Sequence, residues 1–175
     1  MGIRDDEISR LVKYAEALGL KVSFIRGQAD GAADWVIDGS EIRIYRANNH
    51  SKTDLILSLI HELGHHLWFI HEKERNPDLK FEEAIERENL VEENLARITP
   101  KKLRKKILNV EEEGIKYWDI IVKDTQIKIP TWKVEMAKEF DIWNYQVYYK
   151  TGKFPSGKQR KDKIKQLLMK YGRIA

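Results

Sequence analysis

The chain has 175 residues and no cysteine, which excludes disulfides, thiolate metal ligands and a cysteine nucleophile. Hydrophobic residues make up 42% of the sequence, so the chain can bury a core, and no apolar run is long enough to span a bilayer. Because no basic-then-apolar segment opens the sequence, we expect a soluble, cytoplasmic protein.

The net charge of +4 combines an acidic front half with a basic back half. Residues 1–100 contain 13 lysines and arginines against 19 aspartates and glutamates, whereas residues 101–175 contain 19 against 9. This asymmetry predicts two parts with different partners, although a solvated basic surface would have the same composition. We place the domain boundary at Thr99-Pro100, where a helical pattern ends.

The elements before residue 54 predict a helix and a small sheet. Apolar residues recur at helical spacing over DDEISRLVKYAEALGL, and VSFI is typical of a short strand. In WVIDGSEIRIY, two β-rich runs flank Asp38-Gly39, which predicts a hairpin. Ser51 or Thr53 is expected to cap the next helix.

That helix, predicted over about residues 54–72, contains the sequence HELGH. His61 and His65 are four residues apart, so they lie on one face and can ligate one metal ion. Glu62 is turned away from them by about a quarter of the circumference, which suits a general base that reaches a water without ligating the metal. The alternative is a pair of hydrogen-bonded core histidines, but burying two histidines and a glutamate on an apolar helix is costly without a shared partner.

The third protein ligand is expected on the next helix, predicted over residues 81–98. An antiparallel return would bring residues 86–89 level with His65. Glu88 lies in the middle of the apolar stripe of this helix and is the expected ligand; Glu92, one turn later, is the alternative.

The basic half predicts helices over residues 101–110, a helical pair from about 131 to 150, and a terminal helix built on Ile164, Leu167 and Leu168. VEMAKEFDIWNYQVYYKTGKFPS has the layout of a helix-turn-helix with its turn around Asp141. In that arrangement four residues of the second helix would be exposed to DNA or to a DNA-bound protein: Trp143, Asn144, Gln146 and Tyr149. The alternative is two packed helices that brace the first domain.

HELGH, with the hairpin DGSEIRIY before it and a glutamate-bearing helix and a proline after it, resembles the ImmA/IrrE-type zinc metallopeptidases, which are gluzincins. The resemblance covers roughly residues 1–100. The second motif of that family is commonly E-x-E-A-x-x-F-A, whereas residues 86–93 read ERENLVEE, so the choice between Glu88 and Glu92 stays open.

The resemblance implies an α+β fold in which a small zincin-like domain has a short twisted β-sheet and the HExxH helix. An all-α C-terminal region follows, with the helix-turn-helix-like pair. The resemblance also implies that the third Zn²⁺ ligand is a Glu on a following helix, and that an acid one turn beyond it orients a zinc histidine, which would suit Glu92. The activity it implies is limited proteolysis, often of a DNA-bound repressor.

We therefore expect a zinc-dependent endopeptidase that cleaves a protein or peptide partner, with His61, His65 and Glu88 as ligands and Glu62 as catalytic base. The alternative is a non-catalytic DNA- or protein-binding regulator whose zinc site is structural or vestigial. Glu62 favours the peptidase, because a purely structural site needs no base beside its ligand.

Overall fold

The structure, a computed structural model, describes residues 6–27, 33–35, 40–46, 48, 51–79 and 101–174. Within these residues helices combine with a small three-stranded sheet, which confirms the predicted α+β class. The chain divides into two compact units. Unit 1 comprises residues 1–85 and 114–129, and unit 2 comprises residues 86–113 and 130–175. Residues 114–129, which the predicted boundary at residue 100 assigned to the second half, belong with unit 1.

The sheet of unit 1 has strands β1 (Lys21–Ile25), β2 (Ala33–Trp35) and β3 (Glu41–Tyr45), in the order β1-β3-β2. β3 pairs parallel with β1 and antiparallel with β2. The antiparallel pair confirms the two arms of the predicted hairpin, while its Asp38-Gly39 turn lies outside the described residues. Ile42 and Ile44 are fully buried on one face of β3, as the alternation of polar and apolar residues predicts.

Helix α1 (Asp6–Ala17) packs against β1, and helix α2 (Lys52–Arg75) packs against α1, β2 and β3. Ser51 caps α2: its hydroxyl accepts a hydrogen bond from the Asp54 amide at 3.1 Å, while its own amide donates to Asp54 Oδ2 at 2.9 Å. This reciprocal pair satisfies two amides that the first turn would otherwise leave open. Residues 62–67 of α2 are all buried, so every side of the helix is covered over this stretch.

Helices α3 (Lys101–Ile115) and α4 (Trp118–Thr125) follow one another closely along the chain. The predicted helix over residues 101–110 is confirmed and extends to Ile115. α4 packs against α1 and α2 and buries Trp118 and Ile121. It therefore completes the core that covers α2, although it lies far from α2 in sequence.

Unit 2 contains helices α5 (Thr131–Thr151) and α6 (Gly157–Lys170). The predicted helix-turn-helix is wrong, because α5 is continuous through Asp141. Neither glycine nor proline occurs between residues 131 and 151, so nothing interrupts the i→i−4 hydrogen bonds, and Asp is tolerated within a helix as well as in a turn. Asn144, expected to be exposed, is 9% exposed, and its Nδ2 donates to the Phe140 carbonyl at 3.0 Å.

A small core holds unit 2 together around Ile107 and Tyr148, which are 2% and 1% exposed. Phe154, in the loop before α6, stacks on Tyr148 with ring centroids 4.6 Å apart. The predicted terminal helix is confirmed as α6: Leu167 is buried, but Ile164 is 37% exposed. None of the described helices has the length and hydropathy needed to cross a membrane.

Candidate metal centre

The two histidines of HELGH face the same point. His61 Nε2 and His65 Nε2 are 3.1 Å apart, and the ring centroids are separated by 4.6 Å with an interplanar angle of 74°. Two imidazole nitrogens that share a tetrahedral zinc ion at 2.0–2.1 Å would lie about 3.3 Å apart. The i, i+4 spacing thus gives the separation that one metal ion requires, and without an ion the same separation fits a hydrogen bond between the rings.

A carboxylate completes the group. The ligand atoms of His61, His65 and Glu111 all lie within 4.8 Å of one another, so these three residues could hold a metal ion. His65 is 4% exposed and Glu111 is 1% exposed. A carboxylate buried this deeply loses its hydration, and a cation beside it would offset that cost.

Two glycines allow the last turn of α3 to approach α2 closely. A Cβ atom on Gly64 would lie 2.6 Å from the Gly114 carbonyl oxygen, and one on Gly114 would lie 2.8 Å from His65 Nδ1. Real Cβ atoms do not come this close to other heavy atoms. Gly64 belongs to HELGH, and Gly114 lies one turn after Glu111 on the same helix. The contact between these glycines therefore depends on the absence of a side chain at both positions.

Trp118 forms another wall of this region. Its ring meets the His61 ring edge-on, with centroids 5.9 Å apart, and its side chain is 1% exposed. The Trp118 indole also lies near Gly64, since a Cβ atom there would be 3.1 Å from Trp118 Cδ1. An apolar wall against His61 excludes water from one side of the imidazole and restricts its rotation.

Glu62 is 8% exposed, and it stands outside the group of three ligand residues. One residue along an α-helix corresponds to a turn of about 100°, so its side chain leaves α2 in a different direction from those of His61 and His65. This arrangement is consistent with the predicted role of a base that acts next to the ligands.

The remaining histidines of α2 have other surroundings. Burial lowers the pKa of His66, and a hydrogen bond with the Leu18 backbone opposes that shift. His71 is exposed, and its Nδ1 lies 3.2 Å from the Tyr117 hydroxyl oxygen. Neither joins the group of candidate ligands within the described part of the chain.

Glu88 and Glu92 lie outside the described residues, so Glu88 stays a prediction. Sequence reasoning missed Glu111, because the helix was expected to end at Val110. One signal could have found it: Glu111 follows Ile107 by four residues and therefore extends the apolar face that Ile107 begins. An acid on such a face needs a partner, by the argument used for Glu88.

Comparisons with protein-family models, with curated proteins and with solved structures found no match to this chain.

Proposed function

We propose that the protein is a zinc-dependent endopeptidase of the zincin type. The observation that carries this proposal is the convergence of His61, His65 and Glu111 within 4.8 Å. The helix that supplies the two histidines also supplies Glu62. Two imidazoles and one carboxylate form the ligand set of catalytic zinc sites, in which the fourth position stays open. A purely structural site would normally use four protein ligands.

The donor types favour a transition-metal ion such as zinc over magnesium and calcium. Imidazole nitrogen suits zinc, copper, iron and nickel, whereas magnesium and calcium prefer oxygen ligands. The described group offers two nitrogen ligands and one carboxylate. The 3.1 Å separation of the two Nε2 atoms is close to the separation of about 3.3 Å expected for two imidazoles on one tetrahedral zinc ion.

In this proposal residues of the chain itself transfer a proton and limit the access of water. Bound zinc would polarise the scissile carbonyl and lower the pKa of water to about 7. Glu62 accepts the proton of the attacking water and passes it to the leaving amine nitrogen. The walls formed by Trp118 and the buried part of α2 limit the access of bulk water to His61 and His65.

The resemblance to ImmA/IrrE-type peptidases gives the proposal a second line of support. The family pattern E-x-E-A-x-x-F-A keeps only its two acids when it is placed on residues 86–93. Residues 111–118 read EEEGIKYW, which keeps both acids, has Gly114 in the Ala position and Tyr117 in the Phe position. In this placement Glu111 corresponds to Glu86, and Glu113 corresponds to Glu88, so the pattern favours an acidic ligand-bearing helix here without selecting Glu111 itself. The substrate class implied is a protein partner such as a DNA-bound repressor.

The metal assignment is tested by zinc stoichiometry. We expect about one zinc per wild-type chain, and His61→Ala or His65→Ala should lower the content well below one equivalent. His71→Ala is the matched control, because His71 lies on the same helix but pairs with Tyr117. Unchanged zinc content in both ligand variants would overturn the site.

The catalytic assignment is tested by Glu62→Gln, which should retain zinc and lose hydrolysis, since an amide cannot accept the proton. Cleavage is measured on a fluorogenic peptide library and on proteins encoded beside the gene. Glu72→Gln on the same helix serves as control, because Glu72 pairs with Arg75 on the surface. If Glu62→Gln cleaves at the wild-type rate, the assignment of Glu62 as general base is wrong.

A further inference from the structure

The charge of the protein is concentrated in unit 2. Its described residues, 101–113 and 130–174, contain 16 lysines and arginines against 7 aspartates and glutamates. The described residues of unit 1 contain 12 of each. Residues 150–173 alone hold nine basic side chains and a single acidic one, Asp162. A surface of this composition attracts polyanions.

A groove of about 450 Å³ runs between α5 and α6 in this basic unit. Its walls include Ile142, Trp143 and Gln146 from α5, and Lys163, Lys170 and Tyr171 from α6 and its end. Lys163 Nζ lies 6.0 Å from the centroid of the Trp143 ring. The groove thus places basic side chains next to an aromatic ring.

A second tryptophan extends this surface along α5. Trp132 lies eleven residues before Trp143, about 16 Å along the helix axis. The Arg173 guanidinium is 4.5 Å from the centroid of its ring. Each tryptophan is therefore accompanied by a basic side chain from the C-terminal segment.

We propose that the α5–α6 groove binds single-stranded nucleic acid, with bases stacked on Trp143 and phosphates bound by the basic side chains of residues 150–173. Stacking requires base faces, which a single strand offers and a duplex keeps inside its own stack. Gln146, which is exposed, can accept or donate hydrogen bonds at base edges. The continuity of α5 and the burial of Asn144 argue against the reading of duplex DNA by a helix-turn-helix.

Two glutamates line the groove, and neither opposes this assignment. Glu135 pairs with Lys138, also of the groove, at 2.9 Å. The other glutamate is Glu139. It bridges Lys163, at 3.4 Å from Oε1, and Lys170, which bonds to Oε2. Its charge is thus balanced within the groove, and it holds both lysines in place along α6.

A membrane surface fits less well as the partner, because the exposed Ile164 and Met169 are about 140° apart around α6 and form no continuous stripe.

The test uses the full-length protein and a fluorescein-labelled oligo-dT of about 20 nucleotides, followed by anisotropy at increasing salt. We expect binding at low ionic strength that weakens with salt, with a log–log slope of about −0.7 for each phosphate contacted. A duplex of equal length should bind more weakly. Because zinc is not involved, His61→Ala should bind as the wild type does, so this test is independent of the proposed peptidase.

Two variants locate the site. Trp143→Ala should weaken oligo-dT binding about 5- to 150-fold, the range expected for the loss of one stacked base, while Trp143→Phe should retain most of it. Lys163→Gln should make the salt slope less steep by about 0.7, whereas the control Lys123→Gln, an exposed lysine of unit 1, should leave it unchanged. Circular dichroism checks that each variant is folded. If Trp143→Ala does not fold, the salt dependence of Lys163→Gln tests the groove as the binding site.

Absence of oligo-dT binding at about 50 mM salt would overturn the proposal. So would equal binding of oligo-dT, duplex and poly-glutamate with no effect of Trp143→Ala, since the surface would then attract any polyanion. Binding only to vesicles that contain phosphatidylserine would assign the basic surface to a membrane.

Discussion

Glu111 and Gly114 lie one turn apart on α3, and they contribute to the candidate metal centre in different ways. Glu111 offers a carboxylate oxygen to the group formed with His61 and His65. Gly114 offers space, since any side chain there would occupy the volume of the His65 ring. The two residues can therefore be tested separately, one through ligand chemistry and the other through packing.

Glu111→Gln should lower the bound zinc well below one equivalent, because the neutral amide is a much poorer ligand for the ion. Zinc titration with a competing chelator measures the change. Glu112→Gln, on the neighbouring and half-buried residue, is the control and should bind as the wild type does.

The same titration compares the acids predicted from sequence. If Glu88→Gln removes zinc and Glu111→Gln does not, the third ligand is Glu88. The group of His61, His65 and Glu111 is then not the metal site. Glu92→Gln should cost about 10- to 100-fold in affinity if Glu92 orients a histidine, and nothing if it does not.

Gly114→Ala should weaken zinc binding although alanine favours helices by roughly 0.5–1 kcal/mol over glycine. The new Cβ would lie 2.8 Å from His65 Nδ1, so the imidazole or the helix must shift away from the metal position. Gly157→Ala is the matched control, because no atom lies within 4 Å of its added Cβ. Equal zinc affinities of the two variants would show that the close approach at Gly114 does not position His65.

At the scale of the elements, α5 and α6 are joined by Glu139, which bonds to both Lys163 and Lys170. The hydrogen bond from Lys170 lowers the pKa of Glu139, with a further contribution from Lys163, against the opposing effect of burial. A carboxyl group with a lowered folded-state pKa stabilises the fold above its unfolded pKa of about 4.3. That contribution is lost as the pH falls through the lower pKa of the folded state.

Glu139→Gln should therefore reduce the free energy of unfolding at pH 7 by about 1 kcal/mol or less, as expected for partly exposed pairs. The difference from wild type should shrink below about pH 4, where the carboxyl group is protonated in the unfolded chain and increasingly in the folded one. Urea unfolding between pH 3 and pH 7 measures it. Glu135→Gln is the control, because Glu135 pairs with Lys138 within α5 and joins no second helix. A constant difference over this pH range would contradict the assignment.

Local signals in the sequence predicted the described elements before residue 80 well, whereas α4, which also belongs to unit 1, was not predicted. The spacing of apolar residues and the Ser51 cap predicted α2, and the alternation around Ile42 and Ile44 predicted β3. The predicted turn at Asp141 was wrong, because the local sequence is compatible both with a turn and with a helix. We infer that packing against α6 selects the helix.

The candidate site was predictable only in part. His61, Glu62 and His65 occur within five residues of one helix, so their relative placement follows from helix geometry alone. Glu111 is 46 residues beyond His65. A group formed by residues of two distant segments has no periodic signal in the sequence.

For the molecule as a whole, zinc should act as a stabilising ligand if the site binds it only in the folded state. Saturation at about 100 times the dissociation constant adds about 2.7 kcal/mol to the free energy of unfolding. Thermal unfolding with zinc and with a chelator should then differ by several degrees in wild type and in Glu62→Gln. The difference should vanish in His61→Ala, and a zinc-dependent shift of the same size in that variant would place the stabilising ion elsewhere.

Unit 1 consists of two separate stretches of the chain, residues 1–85 and 114–129, which are synthesised at different times. Chains leave the ribosome from the amino terminus at about 5–20 residues per second. The whole of α2 is therefore synthesised seconds before α4, whose Trp118 and Ile121 cover it. During that interval α1, β2 and β3 can already pack against α2, but the part of its surface that α4 covers stays exposed. A pause in translation between residues 85 and 118 would lengthen that exposure.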